Sequence, residues 1–300
     1  MKLNKAKVFG NYIFYYLPDD KYVGQRVALE KYEPYLTDLM LSKINKDDIV
    51  LDIGANIGYD TVLFADKVGK KGKVIAIEPD PINFEILQKN IKENGLKNVV
   101  AVQAAVGNEN KKMKIFESKT NYGDHRLWEE TPLNQNPLPD KPEFPLKEGD
   151  KSRKSVEVFC RRLDDLLKEL DYQKIDFIKM DVQGFEPLVI EGGKEMIEKN
   201  KPIIFFEYWP WGAKNAGSEI KEMMEFFRKI YKKIFWVDEY IQVQFPASQK
   251  FLDKKYSDKN EDDYGNLWVK SEIDFNDRLG QFKNFWIKKL VKRILGKQQT

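Results

Sequence analysis

The sequence predicts an α/β fold: a seven-stranded, mostly parallel sheet with helices on both faces. Three observations predict it. Short apolar strand candidates alternate with amphipathic helix candidates, the signature of βαβ units. The first strand ends in a glycine turn, "VLDIGANIGYD", spanning Val50 to Asp60. The second ends in an acidic residue, Glu78, in "VIAIEPD".

Taken in order, residues 1–46 read as a helical lead-in, because Leu29, Tyr32, Leu36, Leu39 and Met40 recur at helical spacing between Val27 and Ile44. Ile49–Leu51 is then a strand, Thr61–Val68 a helix and Lys73–Ile77 a strand. Asn83–Asn94 is a helix that Gly95 stops as a C-cap, and Val99–Val106 is a third strand. The rhythm resumes with a strand at Phe177–Met180, a helix at Pro187–Lys199, a strand at Ile203–Phe206 and a helix at Ile220–Tyr231. Two last strands, Ile234–Val237 and Asn266–Val269, are joined without a helix, so an antiparallel pair at the sheet edge is expected.

Between the third and fourth strands lies an insertion, roughly Met113 to Val158. It opens with a short strand, "MKIFES", and carries five prolines from Pro132 to Pro145, which forbid a regular helix or central strand. Residues 121–155 are expected to shape acceptor specificity. The main domain is expected at 47–275, followed by a basic amphipathic helix at 276–300.

Hydrophobic content of 42% supports a sizeable core, and a net charge of +3 is too small to point to nucleic acid. No N/D-P-P-Y-like motif follows the fourth strand, and no basic stripe interleaves with aromatics, so a nucleic-acid partner is not expected. The single cysteine, Cys160, excludes an internal disulfide and a cysteine-based zinc cluster. No apolar run makes a signal core before Asn11 or reaches the ~18 residues of a membrane span. A cytoplasmic protein is expected.

The glycine spacing discriminates between nucleotide cofactors. A dinucleotide site wants G-x-G-x-x-G, with the pyrophosphate on the helix. Here Gly54-Ala55-Asn56-Ile57-Gly58 intervenes, and Asp52 at the strand end would repel a pyrophosphate. S-adenosylmethionine has no phosphate and carries an ammonium that an acid such as Asp52 can meet. Glu78, 24 positions after Gly54, is placed to take both ribose hydroxyls.

Together with these, "IAIEPDPINFEILQKNI", "NYGDHRL" and "IDFIKMDVQGFEPLVIEGG" make the sequence, from about Asp47 to Glu207, resemble the FkbM-type methyltransferases. The resemblance implies a class I methyltransferase (Rossmann-like) fold, S-adenosylmethionine as cofactor, and O-methylation of a hydroxyl on a glycan or other small-molecule acceptor. Asp52, Gly54, Asn56 and Gly58 match the family's cofactor turn, and Glu78 its ribose acid. Asn121 and Gly123 match an N-x-G motif assigned to the acceptor side. Lys179, Asp181, Gly184 and Glu186 match K-x-D-x-x-G-x-E, with Gln183 where many members have Glu. Ala55, Pro79 and Ala105 complete the predicted cofactor set.

Four residues are candidates for catalysis. Asp181 ends the fourth strand, next to where the sulfonium is expected, and so also belongs to the cofactor set; it can take the acceptor's proton, stabilise positive charge or cap the next helix. His125, the only histidine, suits a general base near neutral pH. Glu186 can bind an acceptor hydroxyl or cap its helix. Glu207 faces the same crevice and, with Tyr208, Trp209 and Trp211, offers a sugar-stacking wall. Lys179 reads as structural, paired with an acid. Apart from Asp181 and Glu207, which stand in no recognisable paired-ligand pattern, no compact Asp/Asn set offers a divalent ion several oxygens, so no metal is expected.

In Phe282–Thr300 the apolar and basic residues fall on opposite halves of a helix. Such a helix packs on the domain or a dimer partner, or lies in a membrane interface. Two rival functions remain: an NAD(P)-dependent sugar oxidoreductase, and an S-adenosylmethionine-binding module without catalysis.

Overall fold

The computed structural model describes residues 1–118, 121–129 and 153–271. The lead-in is not wholly helical. It opens with a hairpin, β1 (Asn4–Val8) and β2 (Tyr12–Tyr16), around Phe9 and Gly10 at φ 48° and 69°. Two short helices follow, α1 (Gly24–Ala28) and α2 (Pro34–Leu41). The apolar periodicity from Val27 to Ile44 is real, but Pro34 disfavours helical backbone at the residue before it, and Glu33 sits at φ 39°.

Two βα steps and a third strand come next: β3 (Ile49–Ile53), α3 (Tyr59–Val68), β4 (Lys73–Ile77), α4 (Pro81–Glu93) and β5 (Val99–Val102). Apart from Asp52 in β3 and Lys73 at the start of β4 the strands are apolar, because both faces are covered by helices and loops. Asp80 caps α4, its carboxylate accepting from the backbone N–H groups of Ile82 and Asn83. From α4, the side-chain amides of Asn90 and Asn94 each pair with both backbone groups of one β2 residue, Tyr15 and Ile13 respectively. The helix thereby satisfies the open edge of the hairpin, as a strand would.

The expected third strand divides. β5 stays in the main sheet, while β6 (Ala105–Gly107) joins β7 (Lys111–Glu117) and β8 (Lys154–Arg162) in a separate three-stranded sheet. "MKIFES" lies in β7, but β8 carried no clear strand signal. Most of the proline-rich insertion, and all of 276–300, lie outside the described residues.

The second half supplies α5 (Leu163–Glu169), β9 (Phe177–Met180), α6 (Glu186–Gly192), α7 (Lys194–Asn200), β10 (Ile203–Tyr208), α8 (Pro210–Asn215) and α9 (Ile220–Ile230). The chain then runs through β11 (Lys233–Asp238), β12 (Val243–Pro246), α10 (Gln249–Lys255) and β13 (Gly265–Lys270). The helix expected over Pro187–Lys199 is two helices meeting at Gly193. A Cβ on Gly192 would stand 1.9 Å from the Gly107 carbonyl oxygen, so only glycine lets the helix approach β6 this closely.

The main sheet has eight strands in the order β12-β11-β13-β10-β9-β3-β4-β5. β3, β4, β5, β9 and β10 are parallel, and β13 runs antiparallel between β10 and β11. Two corrections follow. The edge strand is β12, and α10 lies between β12 and β13, so the last predicted strands are not a helix-free edge pair. β13 earns its inner place by burial: Leu267, Trp268 and Val269 are fully buried, and Trp268 stacks between Phe205 and Phe235. The mostly parallel sheet with helices packed on it is the α/β architecture expected from the sequence, with β12 added at its edge. Among the described residues no helix is long and apolar enough to cross a membrane.

Candidate active site

From β3 the chain winds outward through β4 and β5, and from β9 outward the other way through β10. The crevice therefore opens beyond the carboxyl ends of β3 and β9, where the strand order reverses. A pocket lies there, enclosing about 790 Å³ with the space at its mouth.

The turn after β3 forms its floor. Gly54 has φ 78°, and a Cβ there would stand 1.9 Å from the Asp181 carbonyl oxygen. Gly58, at φ 87°, starts α3, and its Cβ would meet Leu87 at 2.5 Å. Gly54, Ala55 and Asn56 line the pocket; Gly58 does not. Pro79 and Ala105 line it as expected.

Asp52 does not. It is fully buried and absent from the pocket wall, accepting from the Thr61 hydroxyl, with the Lys179 amine 3.7 Å away. The reason is registry: Asp52 and Lys179 are cross-strand partners on β3 and β9. Lys179 also stands 4.0 Å from Asp60 and donates to the Gly54 carbonyl at 3.0 Å. Burial raises both acids, Asp60 to about 7, while Lys179 lowers them. Burial also opposes charge on Lys179, but Asp52, Asp181 and Asp60 outweigh it and hold the amine above its ordinary range. Lys179 and Asp60 both line the pocket.

Glu78 is held by two backbone amides: Oε2 accepts from Asn56 N–H at 2.8 Å and Oε1 from Asp80 N–H at 2.9 Å. Burial outweighs these bonds and pushes Glu78 up to about 8. Its orientation is thus set before any ligand arrives, with lone pairs left toward the pocket it lines.

Asn56 has a role that its place in the turn did not suggest. Its side-chain amide and that of Asn83 both donate to the Tyr122 carbonyl at 3.1 Å. They clamp the Asn121–Tyr122–Gly123 loop over the pocket. Asn121 shapes that loop, accepting from Gly123 N–H at 3.0 Å, while Gly123 lines the pocket and Asn121 does not. Arg126 and Arg153 both bind the Asp124 carboxylate and fix the next turn.

His125 reaches the pocket in a half-buried position, and burial lowers its pKa. Its Nδ1 accepts from Ser118 N–H at 3.0 Å. In the neutral ring the proton therefore sits on Nε2, which makes His125 a hydrogen-bond donor rather than a base in this arrangement.

Asp181 lines the pocket and does not cap the following helix; its Oδ1 accepts from the Gln183 side-chain amide at 2.8 Å. The glutamine thus supplies a donor where a glutamate would set a second negative charge. Glu186 closes the turn, Oε1 accepting from Val182 N–H at 2.9 Å. One carboxylate oxygen each from Asp181, Glu186 and Glu207 lie within 4.8 Å of one another. This corrects the expectation that no compact acidic set exists. The three come from the end of β9, the start of α6 and β10, so no sequence spacing announces them.

The sugar-stacking wall is also corrected. Tyr208 is 2% exposed and packs into the main core, and Trp209 is 4% exposed, its indole N–H bound to the Glu261 carbonyl. Trp209 instead forms a cluster with Trp128 and Trp211, under the Arg126 guanidinium. Tyr32, Asn83 and Tyr122 line the pocket without having been foreseen, and no local sequence signal marks them.

The family model described as "Methyltransferase FkbM domain" matches residues 52–233. "2-O-methyltransferase NoeI" of Sinorhizobium fredii (strain NBRC 101917 / NGR234) is 32% identical over 162 residues, covering 54% of this chain and 63% of that protein. "Methyltransferase 1" of Beauveria bassiana (strain ARSEF 2860) is 28% identical over 147 residues, covering 49% and 58%. The chain thus spans less than two thirds of the length of these relatives. Among solved structures, methyltransferase FkbM from Methylobacillus flagellatus KT aligns with a TM-score of 0.42 and 18% identity, over 75% of this chain and 43% of that one.

Proposed function

Since the chain belongs to the FkbM methyltransferase domain family, we propose that it transfers a methyl group from S-adenosylmethionine to a hydroxyl oxygen, on a carbohydrate or related metabolite. The observation that carries the cofactor reading is Glu78, buried in the pocket wall with both oxygens oriented by backbone amides. Such a group suits ribose hydroxyls and rejects phosphate. The one lysine in the pocket, Lys179, is engaged by Asp52 and Asp60, so no free cation faces a pyrophosphate among the described lining residues. The family name of the first relative supports an O-methyl acceptor.

When bound, S-adenosylmethionine supplies a methyl group on a good sulfonium leaving group. The chain's own residues have three tasks. Glu78 accepts from the ribose, and the Gly54 turn gives the aminoacyl end room. Asp181, at the junction of the pocket and the carboxylate cluster, receives the proton that the acceptor hydroxyl loses as its oxygen bonds to the methyl carbon. His125 donates from Nε2 to an acceptor oxygen and helps align it for in-line attack.

Calorimetric titration of the full chain with S-adenosylhomocysteine and with NAD(H) tests this reading. Micromolar binding of the former, absent for NAD(H) and weakened by about 1.5–3 kcal/mol in Glu78→Gln, is expected. Glu78→Gln is a cleaner probe than any Asp52 variant, because Asp52 balances a buried lysine. No binding of S-adenosylhomocysteine would sink the reading.

A further inference from the structure

The carboxylates of Asp181, Glu186 and Glu207 have more capacity than the protein uses. Glu186 is 0% exposed; Oε1 serves the Val182 amide, but Oε2 is shut from solvent and has no hydrogen-bond partner. Glu207 Oε2 is likewise buried and unpartnered. Neither residue forms an ion pair among the described residues, and Lys179 is spent on Asp52 and Asp60. A buried acceptor without a partner costs about 1–3 kcal/mol, more when charged, and here two lie side by side. Burial and repulsion within the cluster hold both glutamates well above the ordinary carboxylate range, so the ionised pair calls for a cation.

We propose that Asp181, Glu186 and Glu207 hold a hard divalent cation, which in turn binds the acceptor hydroxyl beside the cofactor pocket.

Three features carry this. The donor set is oxygen only, the set preferred by magnesium, calcium or manganese over zinc or copper. The spacing is right. Two oxygens on one ion stand no further apart than twice the metal–oxygen distance, about 4–5 Å for bond lengths of about 2.0–2.6 Å; the three carboxylate oxygens lie within 4.8 Å of one another. The position is also right. Asp181 lines the cofactor pocket, so an ion held by its carboxylate stands at the edge of that pocket. Three protein oxygens leave about three of six positions for other ligands; with the glutamate oxygens shut from solvent, an acceptor hydroxyl reaches the ion from the side of Asp181, which lines the pocket. Coordination makes the hydroxyl more acidic and aims its lone pair, while the displaced proton leaves through Asp181.

The role assigned to the ion rests on the methyltransferase reading; its binding does not. The test therefore uses two ligands on the full chain, first stripped of metal with a chelator. Manganese(II) alone is titrated and its free concentration read by electron paramagnetic resonance. S-adenosylhomocysteine is titrated separately by calorimetry. One manganese per chain is expected, displaced by calcium or magnesium, and weakened at least about tenfold in both Glu186→Gln and Glu207→Gln. Thermal melting of each variant checks folding, and a manganese-dependent rise in wild-type Tm gives a readout independent of the variants. No stoichiometric manganese binding to the wild-type chain, or equal binding by the folded Glu207→Gln variant, overturns the site. Loss of S-adenosylhomocysteine binding alone would overturn the methyltransferase reading and leave the cation site standing.

Discussion

The amine of Lys179 donates to the carbonyl of Gly54 across 3.0 Å, tying the last turn of β9 to the loop after β3. The same amine faces Asp52 and Asp60, so one buried cation both balances two buried acids and holds the cofactor turn in shape. Replacing it with methionine leaves those acids unpaired. Lys179→Met should lose about 3–5 kcal/mol of stability at neutral pH, the usual cost of breaking a buried pair on one side. Urea denaturation checks this. The deficit should narrow as pH falls and the acids take up protons, and adding Asp52→Asn should recover part of it.

Burial also sets the pH dependence of the unliganded protein. Glu78 is raised from 4.5 to about 8 and Asp60 from 3.8 to about 7. Between the ordinary and the raised values, the folded chain keeps protons that the unfolded chain has released. Stability therefore falls as pH rises through roughly 4.5 to 8. His125, lowered by burial, works in the opposite direction below its ordinary 6.5, but it is one group against several raised acids, Glu33 and Glu186 at about 8 among them. Scanning calorimetry across this range should show Tm decreasing toward pH 8; a Tm that climbs steadily would contradict the burial of these acids.

Much of this was legible in the sequence, for a physical reason. Strands buried on both faces are written as continuous apolar runs, so β3, β4, β9 and β10 could be placed to within a few residues. The glycine turn and Glu78 could be read because left-handed backbone and a strand-end acid leave local marks. What could not be read depends on partners distant in the chain. Asp52 looks like a ligand until β9 is known to lie beside β3, which puts Lys179 opposite it. Asn56 and Asn83 look like turn and helix residues until the Tyr122 carbonyl arrives between them. Asp181, Glu186 and Glu207 meet only when the sheet has formed. The aromatic run after β10 was misread because burial of Tyr208 and Trp209 is decided by elements elsewhere in the chain, among them the loop that carries Trp128.

Gly54 is where the cofactor turn has no tolerance. Its φ of 78° strains any L side chain, and a Cβ would meet the Asp181 carbonyl oxygen at 1.9 Å, a backbone atom that gives way only if the Asp181 peptide shifts. Gly54→Ala should cost about 1–3 kcal/mol in stability. It should also weaken S-adenosylhomocysteine by more than the loss in stability suggests, because relief of the clash moves Asp181. A calorimetric titration on the folded variant checks this; unchanged affinity would show that the turn does not shape the pocket.

His125 separates two mechanisms that the sequence could not distinguish. With Nδ1 accepting from Ser118 N–H, the ring offers the pocket an N–H and no lone pair. A general base would contribute about 10²–10⁴-fold and leave an acidic limb in the pH–rate profile. A donor contributes less and leaves none of its own. Glutamine can accept from Ser118 through its carbonyl and still present an amide N–H. In His125→Gln, kcat should therefore fall by no more than about tenfold, with the acidic limb of the profile in place. Loss of about a hundredfold or more together with disappearance of that limb would instead make His125 the base, and would require the Ser118 contact to open in the complex.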